Sequence, residues 1–389
     1  MRTELRWPVK RWGAFWVAIS ATAGVATLVT VALYRQQDPL NAQAGVRFVG
    51  SDGCLPCHKS IVEEFRATGH NKSLQKGSPQ SLVFGRLGKQ TAFVGLPERN
   101  YLYMLEEQGD ELHFQARPTF VDTAVHTAKV EYVLGSGKRG QGFLAETGPK
   151  GDRKLLQLPI SYYTVKKDWG LSPGQDAHLL SNPLKFREVR MECLRCHTTQ
   201  PPRVNDEKTE GVSCESCHGP GGRHVDQWST VREEVTRFTK ADPTIVNPKR
   251  LSTERTTEIC STCHSKELKP LPGKSFAYRP GTPLDRYYQV AAGSPGEQHS
   301  EPESLAASAC FRKSNGKLRC GSCHSTHGTD PGMAQYEMAC MKCHQPEKCP
   351  QILSHGLKKP LAGCVSCHMP QTEPWTHASF RDHRIRRQP

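Results

Sequence analysis

Three observations predict the fold class: seven Cys-x-x-Cys-His units, a low apolar content, and one central stretch of alternating, glycine-punctuated sequence. The expected class is mainly α with extensive irregular structure, its short helices wrapped around covalently held porphyrins. A β-rich insertion interrupts that core, and a transmembrane helix precedes it.

The organising stretch is residues 211–224, GVSCESCHGPGGRH, which holds Cys214, Cys217 and His218 and, six residues on, His224. The same unit recurs as Cys54, Cys57 and His58, as Cys193, Cys196 and His197, and as Cys260, Cys263 and His264. It recurs again as Cys320, Cys323 and His324, as Cys340, Cys343 and His344, and as Cys364, Cys367 and His368. All but two of the 16 cysteines are used. Such a unit attaches a c-type haem, its sulfurs adding to the two vinyl groups while the adjacent imidazole reaches the iron. Zinc gives no reason for a histidine after every pair. A redox disulfide needs one pair beside a βαβ pattern, not seven. The cofactors are therefore seven covalent haem c groups with their iron.

Composition agrees. The apolar set is 36% of 389 residues. That is below the roughly 45–50% of ordinary globular chains even when glycine is counted. Porphyrins are large apolar bodies that can fill the missing interior. The formal charge of +14 raises the question of a polyanionic partner. Haem propionates supply the counter-charge, and no stretch interleaves basic and aromatic residues, so nucleic acid is excluded as a partner.

Arg2, Arg6, Lys10 and Arg11 precede an uncharged apolar run over residues 12–34. A bilayer needs about 20 such residues, and the leading basic residues predict a cytoplasmic N-terminus. The expected address is a bacterial inner membrane crossed once, with the haem domain periplasmic. Cleavage after Ala42-Gln43-Ala44 is the competing reading, disfavoured by the length of the run. The domains expected are residues 1–34 as cytoplasmic N-terminus and anchor, 35–50 as linker and 51–389 as the multihaem domain. Residues 79–165 form its β-rich insertion.

After the first unit, residues 59–68 read as a helix with Ile61, Val62 and Phe65 on one stripe, and Gly69 ends it to present His70. Residues 101–107 and 111–117 alternate around Gln108-Gly109-Asp110, a hairpin signal, and residues 130–137, 142–147 and 154–163 read as further strands. His113 and His126 fall in or near strands, and His178 falls in a loop. Residues 265–309 are rich in Pro and Gly up to a short helix near 303–309, and the last three units are the closest packed.

Of 17 histidines, seven belong to the units. Setting aside His113, His126 and His178 leaves His70, His224, His299, His327, His355, His377 and His383 as distal iron ligands, one per haem. Two imidazoles make an iron six-coordinate and low-spin, able only to accept and pass electrons. His324 and His327 are three apart and point to one side of a helix, so His327 is expected to serve a neighbouring haem, as His224 can. Cys310 and Cys349 stand outside the units, either as buried thiols or, in an oxidising compartment, as a disulfide.

Longer motifs carry a resemblance over about residues 48–385: FVGSDGCLPCH with His70 beyond it, VLGSGKRGQGFL, PISYYTVKKDWGLSPG and GVSCESCHGPGGRH. YRPGTPLDRYY, SACFRKSNGKLRCGSCHSTHG, CVSCHMP and the closing DHRIRR continue it. Together they resemble multihaem cytochromes c of the cytochrome c-554 type, related to hydroxylamine oxidoreductase-type cytochromes. The resemblance implies distal roles for His70, His224, His327, His377 and His383, and for His299 at a stretched spacing. His355 matches no family position. Relatives often continue into tetratricopeptide helices, and a chain ending at Pro389 implies that this module is absent.

The expected function is a membrane-anchored periplasmic electron-transfer protein in respiration. Redox proteins are its partners, with a quinol-linked membrane complex on one side. The alternative is a multihaem oxidoreductase acting on a small nitrogen or sulfur compound at one five-coordinate haem. Catalytic residues are not assigned, and all seven units end in histidine, unlike the Cys-x-x-Cys-Lys of pentahaem nitrite reductases.

Overall fold

A computed structural model describes residues 47–89, 91–149, 152–202, 211–229, 242–266, 268–290, 300–349, 363–375 and 378–386. Its largest ordered body is a pair of antiparallel sheets. One has strand order β2-β3-β4-β5, from Ala92–Leu96, Tyr101–Gln108, Glu111–Pro118 and His126–Lys129. The other runs β1-β6-β7-β8-β10, with β9 also on β8. Its strands are Leu74–Lys76, Tyr132–Leu134, Gly140–Thr147, Lys154–Tyr163, Asp168–Leu171 and Arg187–Glu188.

Alternation explains the pairing. Leu112, Phe114 and Ala116 of β4 are buried while their neighbours are not, and Ala92, Val94 and Leu96 of β2 behave likewise. The two sheets turn these faces on each other. Tyr103, Leu105 and Phe114 from one and Phe143, Leu158 and Ile160 from the other share a single apolar core, all fully buried. Each such side chain stabilises the fold by about 1.5–3 kcal/mol. The register of β3 and β4 is fixed by a two-residue turn, with Gln108 opposite Glu111 and Gly109 at φ 64°. That φ favours glycine.

The mainly α expectation is thus corrected. Four antiparallel sheets hold about as much of the described chain as the α-helices do, and the longest described helix, Thr253–His264, has 12 residues. The reason is physical. A Cys-x-x-Cys-His unit needs only one helical turn, so seven units impose no long helices, while the apolar residues between them alternate with period two. Two small hairpins, Leu268–Pro270 with Tyr288–Val290 and Gln371–Trp375 with Ala378–Arg381, lie among the units themselves. The sandwich strands begin at Leu74 and end at Glu188, a wider span than 79–165.

The single N-terminal pass, with the inner-membrane and periplasmic placement built on it, is also corrected. No helix among the described residues is long and apolar enough to cross a membrane. Residues 12–34, from which the anchor was read, lie outside the described residues, as does the Ala42-Gln43-Ala44 site.

Outside the sandwich the described apolar core is thin. The largest cluster confined to the unit-bearing part joins Leu268, Leu284 and Tyr288. That is the interior expected of a chain whose volume is completed by something other than side chains.

Candidate haem sites

Each unit forms a tight turn. The amide of His58 donates to Cys54 O at 3.0 Å, and those of His218, His324 and His344 do the same to Cys214, Cys320 and Cys340, each at 3.0 Å. Cys260 to His264 ends the helix Thr253–His264, capped by Ser252 accepting from Arg255 N, and Cys364–His368 is a helix of its own. At i, i+3 and i+4 the two sulfurs and the imidazole share one face. The structure has no disulfide, and Cys310 and Cys349 are free thiols. Cys310 acts electrostatically on Cys323 and Cys340, and Cys349 on Cys364, so both lie beside the last three units.

The structure brings four unit histidines each opposite a second histidine from elsewhere in the chain. His58 and His224 have ring centres 6.3 Å apart, His70 and His264 6.2 Å, His218 and His327 6.0 Å, and His324 and His383 6.1 Å. The planes meet at 17°, 86°, 13° and 24°. A nearly constant distance with a free angle does not describe ring stacking, where face contact sets the angle. It does describe two imidazoles on opposite sides of one metal. A metal–nitrogen bond of about 2 Å and a further 1.1 Å or so to the ring centre, taken twice, give about 6.2 Å. The residues present therefore fit an iron between each pair.

Hydrogen bonds fix which nitrogen faces the partner. Nδ1 of His218 lies 2.8 Å from Val246 O, that of His368 2.8 Å from Arg386 O, that of His383 3.0 Å from Arg381 O and that of His197 3.2 Å from Ser73 O. A carbonyl can only accept, so each Nδ1 carries the proton and each Nε2 keeps the lone pair a metal needs. Nδ1 of His224 instead donates to Asp242 Oδ2 at 2.8 Å. Burial lowers the pKa of His58, His70, His197, His218, His264 and His324. The facing histidine lowers it further for His58, His70, His218 and His324. These rings are held neutral, the ligating form.

The remaining unit histidines are His197, His344 and His368. His299, His355 and His377, the other three distal candidates, lie outside the described residues. His113 bonds Glu111, His126 packs edge-on against Phe114 and Phe186, and His178 is exposed on the helix Asp176–Ser181.

Other features suit a porphyrin. A half-open cavity of about 420 Å3 is lined by Cys193, Leu194, His197, Leu134, Arg187 and Arg190 among others. Arg195 Nε and Tyr278 OH are buried donors with no partner among the described residues, which a propionate carboxylate would satisfy. Neither was singled out from the sequence, where an isolated Arg or Tyr carries no signal.

The units also adjoin one another. Cys196 of the second lies within electrostatic reach of Cys263 of the fourth, and Cys260 of the fourth within reach of Cys320 of the fifth. His218 of the third lies within electrostatic reach of His58 and His224, and Cys217 within reach of Cys260. Cys340 of the sixth lies within electrostatic reach of Cys323 and Cys364. Ser73 binds three units together: its Oγ donates to His197 O and accepts from Val212 N, and Val212 N also donates to His70 O.

These sites define a multihaem cytochrome c, with covalent haem c and iron as its cofactors and electron transfer to redox partners as its class of activity. A family model, cytochrome c554 and c-prime, matches residues 173–219, the segment that holds the second and third units. The multiheme cytochrome MtrA of Shewanella baltica (strain OS185) is 23% identical over 245 residues, 57% of this chain and 67% of that protein. A solved structure, the outer cell wall cytochrome OcwA, superposes with a TM-score of 0.49 at 16% identity, covering 87% of this chain and 79% of that one.

Proposed function

We propose that the chain carries seven haems c, one per unit, and passes electrons along them between redox partner proteins. The observation that carries this reading is the set of four facing histidine pairs at 6.0–6.3 Å. His58 and His224 would hold the first iron, His218 and His327 the third, His264 and His70 the fourth, and His324 and His383 the fifth. His197, His344 and His368 would hold the second, sixth and seventh, with His299, His355 and His377 as their distal partners. Bound haem supplies a reversible ferric–ferrous couple. The chain's own residues orient the imidazoles, burial keeps His58, His70, His197, His218, His264 and His324 neutral, and the facing pairs would leave their irons no vacant position for substrate.

Every distal histidine in these pairs comes from another unit's neighbourhood, which ties the haems into one rigid array. The contacts between units support a path running first, third, fourth, fifth, sixth, seventh, with the second haem beside the fourth. The sandwich over residues 74–188 is the insertion within that haem domain, held to it through β1 just beyond His70.

Two measurements on purified protein test the reading. The intact mass should exceed that of the polypeptide by seven porphyrins, and the oxidised spin signal should be low-spin throughout. A high-spin component equal to one haem in seven would support instead an oxidoreductase acting at that iron. A mass without porphyrins would end both readings.

A further inference from the structure

The described ring-nitrogen partners of the paired histidines are not chemically alike. His218 and His383 donate to backbone carbonyls, and His324 Nδ1 lies 3.3 Å from the hydroxyl of Tyr336. His224 alone among them has a carboxylate within hydrogen-bond distance, Asp242 Oδ2 at 2.8 Å, whereas Glu301 Oε2 stands 4.0 Å from His264 Nδ1. The Asp242 carboxylate is only 13% exposed and firmly held. The same Oδ2 accepts from Trp228 Nε1 at 2.7 Å, and Oδ1 accepts from Thr244 N at 2.7 Å and from the Thr244 hydroxyl. His224 and Trp228 lie on one short helix, Gly222–Trp228, four residues apart, so both reach the same oxygen.

From this arrangement we propose that Asp242 is a positioning and tuning residue that makes the His58–His224 haem the lowest-potential iron of the four described pairs. The inference rests on His224 being an iron ligand. An ionised acceptor draws the Nδ1 proton away from the ring, and the resulting anionic character strengthens the Nε2 donor. A stronger donor and a nearby negative charge both stabilise ferric over ferrous iron, because reduction adds an electron to the site. A carbonyl acceptor does this far more weakly. Trp228 moderates the effect by sharing the oxygen that His224 uses.

The test is a spectroscopically monitored redox titration of the haem-loaded protein and three variants, with haem content checked in each. Asp242→Asn keeps an acceptor and removes the charge. A component of one haem should then become easier to reduce by at least tenfold, or about 59 mV for one electron. Trp228→Phe removes the competing donor, and the same component should become harder to reduce. Opposite signs are the signature of tuning, since a loosened pocket would move both variants alike. Same-direction shifts, or none, would overturn the role of Asp242. If Asp242→Asn loses haem, the sign of the Trp228→Phe shift decides alone. His224→Met checks the ligation itself: it should replace one bis-imidazole signal. If all such signals persist, the pairing fails rather than the tuning.

Discussion

The imidazole of His218 faces that of His327 with ring centres 6.0 Å apart and planes 13° from parallel. One belongs to the third unit and the other follows the fifth, so the contact joins segments more than a hundred residues apart in the chain. Neither residue can be ordered there by local structure alone.

Replacing His327 with Ala should leave the haem count unchanged, because thioether formation needs only the unit's own cysteines. One ferric haem should become high-spin, read by electron paramagnetic resonance and by the charge-transfer band of the oxidised spectrum. A purely low-spin variant would show that His327 serves no iron.

Gly211 is the packing support for the His70 pair. A Cβ there would lie 2.2 Å from Asn71 O and 2.8 Å from Ser73 Oγ, both just beyond His70. Gly211→Ala should therefore push residues 71–73 away, lower the melting temperature and loosen the His70–His264 pair, whose centres are 6.2 Å apart. The spectroscopic mark is a partial high-spin signal at one haem. Unchanged spectra and melting would show that the neighbouring backbone gives way freely.

Phe114 tests the sandwich apart from the haems. It is fully buried between the sheets and packs against Tyr103 and Phe186. Phe114→Ala should destabilise the protein by about 3–5 kcal/mol, a transfer term plus a cavity term. In native buffer the haem spectra should be unaltered, since no unit histidine touches it. Denaturant unfolding followed by far-ultraviolet circular dichroism measures the loss.

Lys138, between β6 and β7, pairs with Asp330 just past the fifth unit and so clips the sandwich to the haem region. Hydrogen bonding from Lys138 holds Asp330 at about 2, below its ordinary 3.8. A lowered folded pKa contributes stability that is present above the unfolded value and lost as pH falls through the folded one. The contribution should thus be full above about pH 4 and gone near pH 2. Both side chains are well exposed, which keeps it below about 1 kcal/mol. Lys138→Ala should lower the melting temperature at pH 6 and bring the two proteins together near pH 2. An equal gap at both values would assign the effect to packing.

Much of the chemistry was legible in the sequence because it is local. Attachment of a haem depends on spacing within five residues, so Cys214, Cys217 and His218 mark a candidate haem site without a fold. The helix of residues 59–66 and the strands around Gly109 were legible for the same reason, as periodicities of three to four and of two. The proportion of sheet was less so. Leu74 and Arg187 pair with strands far from them, Asp168 to Leu171 folds back on the strand just before it, and two- to four-residue strands carry too short an alternation to be read. Ile61 likewise counted toward the apolar stripe yet is 43% exposed, while Val62 and Phe65 are buried.

What the sequence by itself determined is the covalent chemistry: which sulfurs and which adjacent imidazoles can hold porphyrins, and that spare histidines exist to face them. Only the tertiary structure decided which spare histidine meets which unit, that His224 leans on Asp242 while His218 leans on a carbonyl, and which cysteine pairs adjoin. Those relations are distances between chain segments brought together by burial and hydrogen bonding. A one-dimensional pattern carries no record of them.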